Sequence, residues 1–167
     1  MWLRVLCVLF VVCQLIPVAN ADDYTVVYLV RHAEKRLDQG KDPELTEKGQ
    51  HRARQYADTF RDAGITQIYS TDYKRTQATV KPLADSLNQT VIVYDPDRLG
   101  DLANTLRSQP GIYFISGHSD TTPVFVTALG GVAGAEIDED NEYDRVYQVI
   151  INADNSVYTH RLRSLPR

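Results

Sequence analysis

Two histidines and two arginines fall where a backbone would turn out of buried strands. Arg31-His32 directly follows the apolar, β-branched run Thr25-Val-Val-Tyr-Leu-Val30. Gly117-His118 follows a second such run, Ile112-Tyr-Phe-Ile115, and leads into Ser119-Asp-Thr-Thr-Pro123. Arg75 opens a helical segment just after Gln67 to Ser70. An imidazole can attack phosphorus and carry the phosphoryl group covalently. Forked guanidinium donors match its equatorial oxygens and offset the charge that gathers on them. A histidine at one strand end can equally be a hydrogen-bonded structural residue. Two of them with arginines at neighbouring strand ends describe a cluster, with Arg31, Arg75 and His118 surrounding a phosphoryl group held against His32.

The elements that must position these groups alternate. Thr25–Val30 has the continuous hydrophobicity of a strand covered on both faces. A helix is predicted from an N-cap at Thr46 to about Ala63, with Ala53, Ala57 and Phe60 on one face. Gln67–Ser70 reads as a short strand, and the next helix starts near Tyr73, where Pro82 should kink or restart it. Val91–Tyr94 is a third strand candidate. Leu99, Leu102 and Leu106 mark a short helix, Ile112–Ile115 a further strand, and Val124–Leu129 a helix closed by Gly130-Gly131. Arg145–Asn152 and Ser156–Leu162 alternate around Ala153-Asp-Asn155, the pattern of an antiparallel hairpin. The expected class is therefore α/β: a mostly parallel sheet with helices on both faces and a C-terminal antiparallel hairpin. Ligands in such sheets lie beyond the carboxyl ends of the strands, where both histidines fall. The segment Ser119–Pro123, as a capped helix start, would add unpaired N–H groups that attract phosphate.

Composition sets outer limits. A chain of 167 residues with 43% hydrophobic and 24% charged residues can build one domain with a sizeable core. A net charge of −4 argues against general binding to nucleic acid or acidic membranes. The first residues form a separate object: Arg4, an apolar run Val5–Val18 interrupted by Gln14 and Pro17, then Ala19-Asn-Ala21. This pattern predicts a cleaved secretory signal over 1–21, with a retained anchor as the alternative, and hence a periplasmic or secreted domain over 22–167. Both cysteines, Cys7 and Cys13, lie inside that leader, so the mature domain has neither disulfide nor thiol nucleophile.

Four motifs in order resemble those of the histidine phosphatase (phosphoglycerate mutase-like) superfamily. Leu29-Val-Arg-His-Ala-Glu-Lys35 resembles its Arg-His-Gly signature, and Leu45-Thr-Glu-Lys-Gly-Gln50 its Leu-Thr-x-x-Gly segment. Ser70-Thr-Asp-Tyr-Lys-Arg-Thr-Gln-Ala-Thr79 resembles the second-arginine motif, and Gly117-His-Ser119 the late Gly-His motif. The resemblance implies a phosphohydrolase in which His32 forms a phosphohistidine. Arg31, Arg75 and His118 would bind the phosphoryl oxygens, with Ser119 and Thr121 beside them on a small phosphorylated substrate. It implies no metal and no cofactor. His32 must be neutral to attack, and the sequence does not show what orients its second ring nitrogen.

The general acid stays open. Asp120 follows the late histidine, one place displaced from one family pattern, and is placed nearest the pocket, although helix capping explains it equally well. Asp95, Asp97 and Asp101 occupy the region of the other pattern, and Glu34 is either an acid or an ion-pair partner. A phosphate-binding protein without turnover and a phosphomutase are the alternative functions. The segments 36–44, 95–101 and 134–144 should border the pocket, and the acidic run within 136–144 would repel polyanions if it faces inward.

Overall fold

A computed structural model describes residues 24–164; the predicted leader at 1–21 lies outside them. The order is β1 (Tyr24–Arg31), α1 (Glu47–Phe60), β2 (Gln67–Ser70), α2 (Lys74–Ser86), β3 (Val91–Val93), α3 (Leu99–Ser108), β4 (Gly111–Gly117), α4 (Thr121–Ala128), β5 (Arg145–Asn152) and β6 (Val157–Arg163). The six strands form one sheet in the order β3-β2-β4-β1-β5-β6. The first four in that order run parallel, while β5 pairs antiparallel with both β1 and β6. This is the expected α/β class with its terminal hairpin.

Side chains of β1 alternate between two cores, as a period of two requires. Val27 and Leu29 join Leu106, Phe125, Leu129 and Tyr147 on one side. Val30 joins Tyr56, Phe60, Leu83 and Phe114 on the other. Helices α1 and α2 thus cover one face, and α3 and α4 the other. Each fully buried Leu or Phe adds about 1.5–3 kcal/mol, so the two cores hold the central strands β1 and β4 rigidly in register. That register is what the site depends on.

Local departures from the sequence reading have local causes. Helix α2 runs through Pro82 as one element, because Val80, Leu83 and Ala84 on either side are buried against the sheet. Helix α1 ends at Phe60 rather than near Ala63. A 3-10 turn, Pro96–Arg98, precedes α3, with the Asp95 carboxylate accepting from the Asp97 amide. Helix α4, by contrast, starts at Thr121 with Asp120 as its cap, inside the Ser119–Pro123 segment expected to open it. Among the described residues no helix is long and apolar enough to cross a membrane.

Candidate active site

Strands β2, β4 and β1 are neighbours, and their carboxyl ends deliver Thr71, His118 and His32 side by side. Arg31 stands level with Gly117, and the His32 amide donates to the Gly117 carbonyl at 2.9 Å. The two imidazoles meet edge to face with ring centres 5.8 Å apart. Gly117 has no room for a side chain: a Cβ would lie 2.9 Å from both the Thr122 and Tyr94 hydroxyls. That crowding explains the glycine before His118 without invoking a special backbone angle.

His32 is 2% exposed, and its Nδ1 lies 2.8 Å from the Ala33 carbonyl. A carbonyl only accepts, so Nδ1 carries the proton and Nε2 keeps its lone pair. This carbonyl is the orienting partner that the sequence could not show. Ala33 is itself held, since its amide donates to Thr79 Oγ1 at 2.9 Å and that hydroxyl donates to the Arg75 carbonyl. Burial lowers the His32 pKa to about 3; the bond to Ala33 opposes the shift, and the charges of Arg31 and Arg75 add to it. The ring is therefore neutral at any ordinary pH, as a nucleophile must be.

His118 is oriented from both sides. Arg75 Nη2 donates to its Nδ1 at 3.3 Å, which leaves the proton on Nε2, 3.0 Å from Thr71 Oγ1. Thr71 passes the chain on to Thr76 Oγ1 at 2.9 Å, and Thr76 donates to backbone carbonyls. Burial, reinforced by Arg75, lowers the His118 pKa to about 4. Arg75 stacks on the Tyr73 ring at 4.4 Å, and its Nε and Nη1 are buried with no hydrogen-bond partner. The nearest carboxylate to Nη1 is Asp42 at 3.8 Å. Buried guanidinium donors without acceptors are costly unless something arrives to accept from them.

Arg31 is arranged differently from the reading that placed it beside Arg75. It is 1% exposed and stacks on Tyr143 at 4.1 Å. Its Nη1 donates to the carbonyls of Asp138 and Glu142, and its Nη2 to that of Glu139. Only Nε lacks a partner. Both forks of the guanidinium are thus engaged in folding the acidic segment against β1.

That segment brings in Glu139, a residue the sequence reading noted only as part of an acidic run. Its carboxylate accepts from Ser119 Oγ, lies 2.9 Å from Lys35 Nζ and 3.3 Å from Arg31 Nη2. Burial alone would raise its pKa, but the bonds from Ser119 and Lys35 and the charge of Arg31 prevail and lower it to about 2. His32, Arg75, His118, Lys35, Tyr73 and Ser119 line one cavity of about 430 Å³ together with Asp97, Asp120, Thr121 and Glu139. A larger hollow of about 650 Å³ lies away from these groups, against α1 and beside Ser164, the last described residue.

The acid candidates separate by position. Asp97 and Asp120 line the cavity. Asp120 also caps α4, accepting from the Thr121 amide at 2.8 Å, so its two expected roles coincide in one side chain. Asp95 caps the 3-10 turn, and Asp101 accepts from Arg98 on the surface. Glu34 forms a two-pronged pair with Arg52, at 2.9 and 2.8 Å, and also meets Lys48. None of these three lines the cavity. The α4 terminus offers less than expected to an anion, because the Thr121 amide is bound to Asp120 and the Thr122 amide to the His118 carbonyl. Among the described residues no three His, Asp or Glu side chains gather as a metal-ligand set.

The Leu45–Gln50 motif is a clamp on the segment that follows His32. The Thr46 amide donates to the Glu34 carbonyl at 2.9 Å, and Thr46 Oγ1 accepts from the Gly49 amide. A Cβ at Gly49 would stand 2.3 Å from the Glu34 carbonyl oxygen. Helix α1 can approach the segment following His32 only because position 49 has no side chain.

Comparisons with known proteins agree with this geometry. Residues 27–100 match the family described as histidine phosphatase superfamily (branch 1). The chain is 44% identical over 82 residues to a probable phosphoglycerate mutase GpmB of Enterobacter sp. (strain 638). That alignment takes in 46% of this chain and 37% of the relative, so the matched stretch is little more than a third of the longer protein. The fold superposes on the protein histidine phosphatase SixA complexed with tungstate with a TM-score of 0.68, at 16% identity over 83% of this chain and 97% of that one. A phosphoserine phosphatase from Entamoeba histolytica, in complex with 3-phosphoglyceric acid, gives 0.62 at 13% identity, covering 84% and 98%.

Proposed function

We propose that the chain, whose residues 27–100 match the histidine phosphatase superfamily (branch 1), is a metal-independent phosphohydrolase of that superfamily working through a phosphohistidine on His32. The observation that carries this reading is the state of His32: buried, neutral, with Nδ1–H tied to the Ala33 carbonyl and Nε2 left to attack. Opposite stand the unpartnered Nε and Nη1 of Arg75, which are suited to donate to phosphoryl oxygens.

In the first step Nε2 attacks phosphorus, the P–O bond to the leaving group breaks, and the leaving oxygen takes a proton from an acid. Asp120 and Asp97 are the carboxyl groups of the candidate set that are placed to give it. In the second step water attacks the phosphohistidine while giving a proton back to that carboxylate, the P–N bond breaks, and inorganic phosphate leaves with His32 and the acid restored. Arg75 holds the transferring oxygens in both steps, and His118, itself fixed by Thr71, positions the Arg75 guanidinium through its Nδ1. Arg31 contributes through its free Nε and, chiefly, by holding the acidic segment in place. The substrate is a small phosphorylated molecule met outside the cytoplasm, in keeping with the leader expected at 1–21.

The test is turnover of an aryl phosphate in EDTA, with and without His32→Ala, together with quenching of the radiolabelled enzyme in alkaline detergent, followed by exposure of samples to acid or alkali. Turnover that persists in EDTA, vanishes in the variant, and passes through an acid-labile, alkali-stable phosphoenzyme supports the proposal. Activity that EDTA abolishes, or that survives His32→Ala, overturns it. Vanadate binding without turnover of any ester would instead mark a phosphate-binding protein.

A further inference from the structure

Resting on the phosphohydrolase reading, we propose that Glu139, backed by Asp97 and Asp120, is a specificity-determining residue that selects phosphate monoesters with a neutral or cationic leaving group. Esters carrying a carboxylate or a second phosphate on that group are the class it rejects.

The cavity has two chemical halves. One holds His32, His118 and Arg75 around the place of the phosphoryl group. The other is lined by three carboxylates delivered by three separate elements: Asp97 from the 3-10 turn, Asp120 from the α4 cap and Glu139 from the segment before β5. Lys35 is the one cation lining this half among the described residues, and it is already paired with Glu139 at 2.9 Å. Neither Asp97 nor Asp120 forms an ion pair within the described residues. Whichever of Asp97 and Asp120 gives its proton is neutral, while the other keeps an unpaired charge beside Glu139, which Lys35 and Arg31 answer at 2.9 and 3.3 Å, so an anionic leaving group meets like charge from these two carboxylates.

Glu139 is presented by a rigid support. The carbonyls of Asp138, Glu139 and Glu142 bind Arg31, while those of Ala135 and Glu136 bind Arg145. Arg145 also takes the Glu142 carboxylate at 2.7 Å through both Nε and Nη2. None of these bonds uses the Glu139 side chain. Glu139→Gln therefore removes a charge from the cavity while the segment that carries it stays anchored. The glutamine keeps one oxygen to accept from Lys35, and its amide N–H can donate to Ser119 Oγ where Oε2 had accepted.

Two esters of nearly equal size isolate the effect: phosphoethanolamine, whose leaving group is cationic, and phosphoglycolate, whose leaving group bears a carboxylate. Phenyl phosphate serves as the neutral reference. The wild type should show a higher kcat/KM for phosphoethanolamine than for phosphoglycolate, and Glu139→Gln should shrink that ratio about tenfold, equivalent to about 1.4 kcal/mol. Asp97→Asn should shrink it too, and raised salt should compress it in the wild type. These two measurements keep the inference testable even if Glu139→Gln folds poorly. Turnover of phenyl phosphate with a wild-type ratio at or below one, or a ratio unmoved in both variants, overturns the inference and leaves the phosphohydrolase reading standing. No turnover of any of the three overturns that reading, and the inference falls with it.

Discussion

Burying His32 as a neutral ring ties the stability of this fold to pH, and asparagine at that position should break the tie. The ordinary pKa of 6.5 governs the unfolded chain, whereas the folded ring titrates at about 3. Between those values the unfolded state binds the extra proton. Stability is therefore complete above pH 6.5, falls as the pH drops below it, and stops falling near pH 3. From pH 7 to pH 5 the loss due to His32 alone is about 2 kcal/mol. The side-chain amide introduced by His32→Asn keeps an N–H for the Ala33 carbonyl but cannot titrate. His118, Glu34 and Glu139 are common to both proteins, so their contributions cancel in the comparison. Urea unfolding of wild type and variant in phosphate-free buffers at pH 7, 6 and 5 should show the variant losing about 2 kcal/mol less over that range. Slopes in urea must match for the comparison to hold. Parallel pH profiles, agreeing to about 0.5 kcal/mol, would mean that His32 accepts a proton freely in the folded state. The neutral-nucleophile argument would then be wrong.

Arg75→Lys should weaken vanadate binding by about 10- to 100-fold in titration calorimetry, because an ammonium cannot replace two fixed guanidinium donors. Unchanged affinity would show that the orphaned Nε and Nη1 do not face the anion. Gly49→Ala should cost about 1–3 kcal/mol in urea unfolding and lower kcat, since the new Cβ must push the Glu34 carbonyl away and with it the segment behind His32. Stability and turnover both at wild-type level would refute that clamp. Asp120→Asn should lower kcat on an alkyl phosphate about 100-fold or more across pH, and much less on an aryl phosphate whose leaving group needs no proton. Full turnover on the alkyl ester would remove Asp120 and point to Asp97.

Much of the fold was legible because its signals are local and repeated. Thr25–Val30 is apolar at nearly every position, which a strand covered on both faces explains. Thr46 and the Ala53, Ala57, Phe60 spacing announced α1, and Asn155, with φ of +64°, sits in the turn the hairpin pattern required. Punctuation was legible only in part. Pro82 was expected to kink or restart a helix, and α2 does not restart there, because Val80 and Leu83 on the same helix are buried. The start of α4 was legible, because Ser119–Pro123 has the residue types of a capped helix start and the Thr121 amide donates to Asp120 there.

The grouping of the candidate side chains was legible where it follows from a place at a strand end, and illegible where it follows from partners distant in the chain. Arg31 and Arg75 look equivalent as basic residues beside strand ends. Their difference arises from residues more than a hundred positions beyond Arg31: the carbonyls of Asp138, Glu139 and Glu142 occupy Arg31, while nothing comparable reaches Arg75 Nε. Glu139 was unreadable for the same reason. An acidic run is ordinarily a solvated face, and only the pull of Arg31 and Arg145 on its backbone turns this one inward. A guanidinium folded into the wall is thus what gives the pocket a fixed negative side chain, while the other guanidinium keeps two donors unpartnered. On the proposed reading, two residues of one type, set apart by their neighbours, build both the affinity for the phosphoryl group and the restriction on what it is attached to.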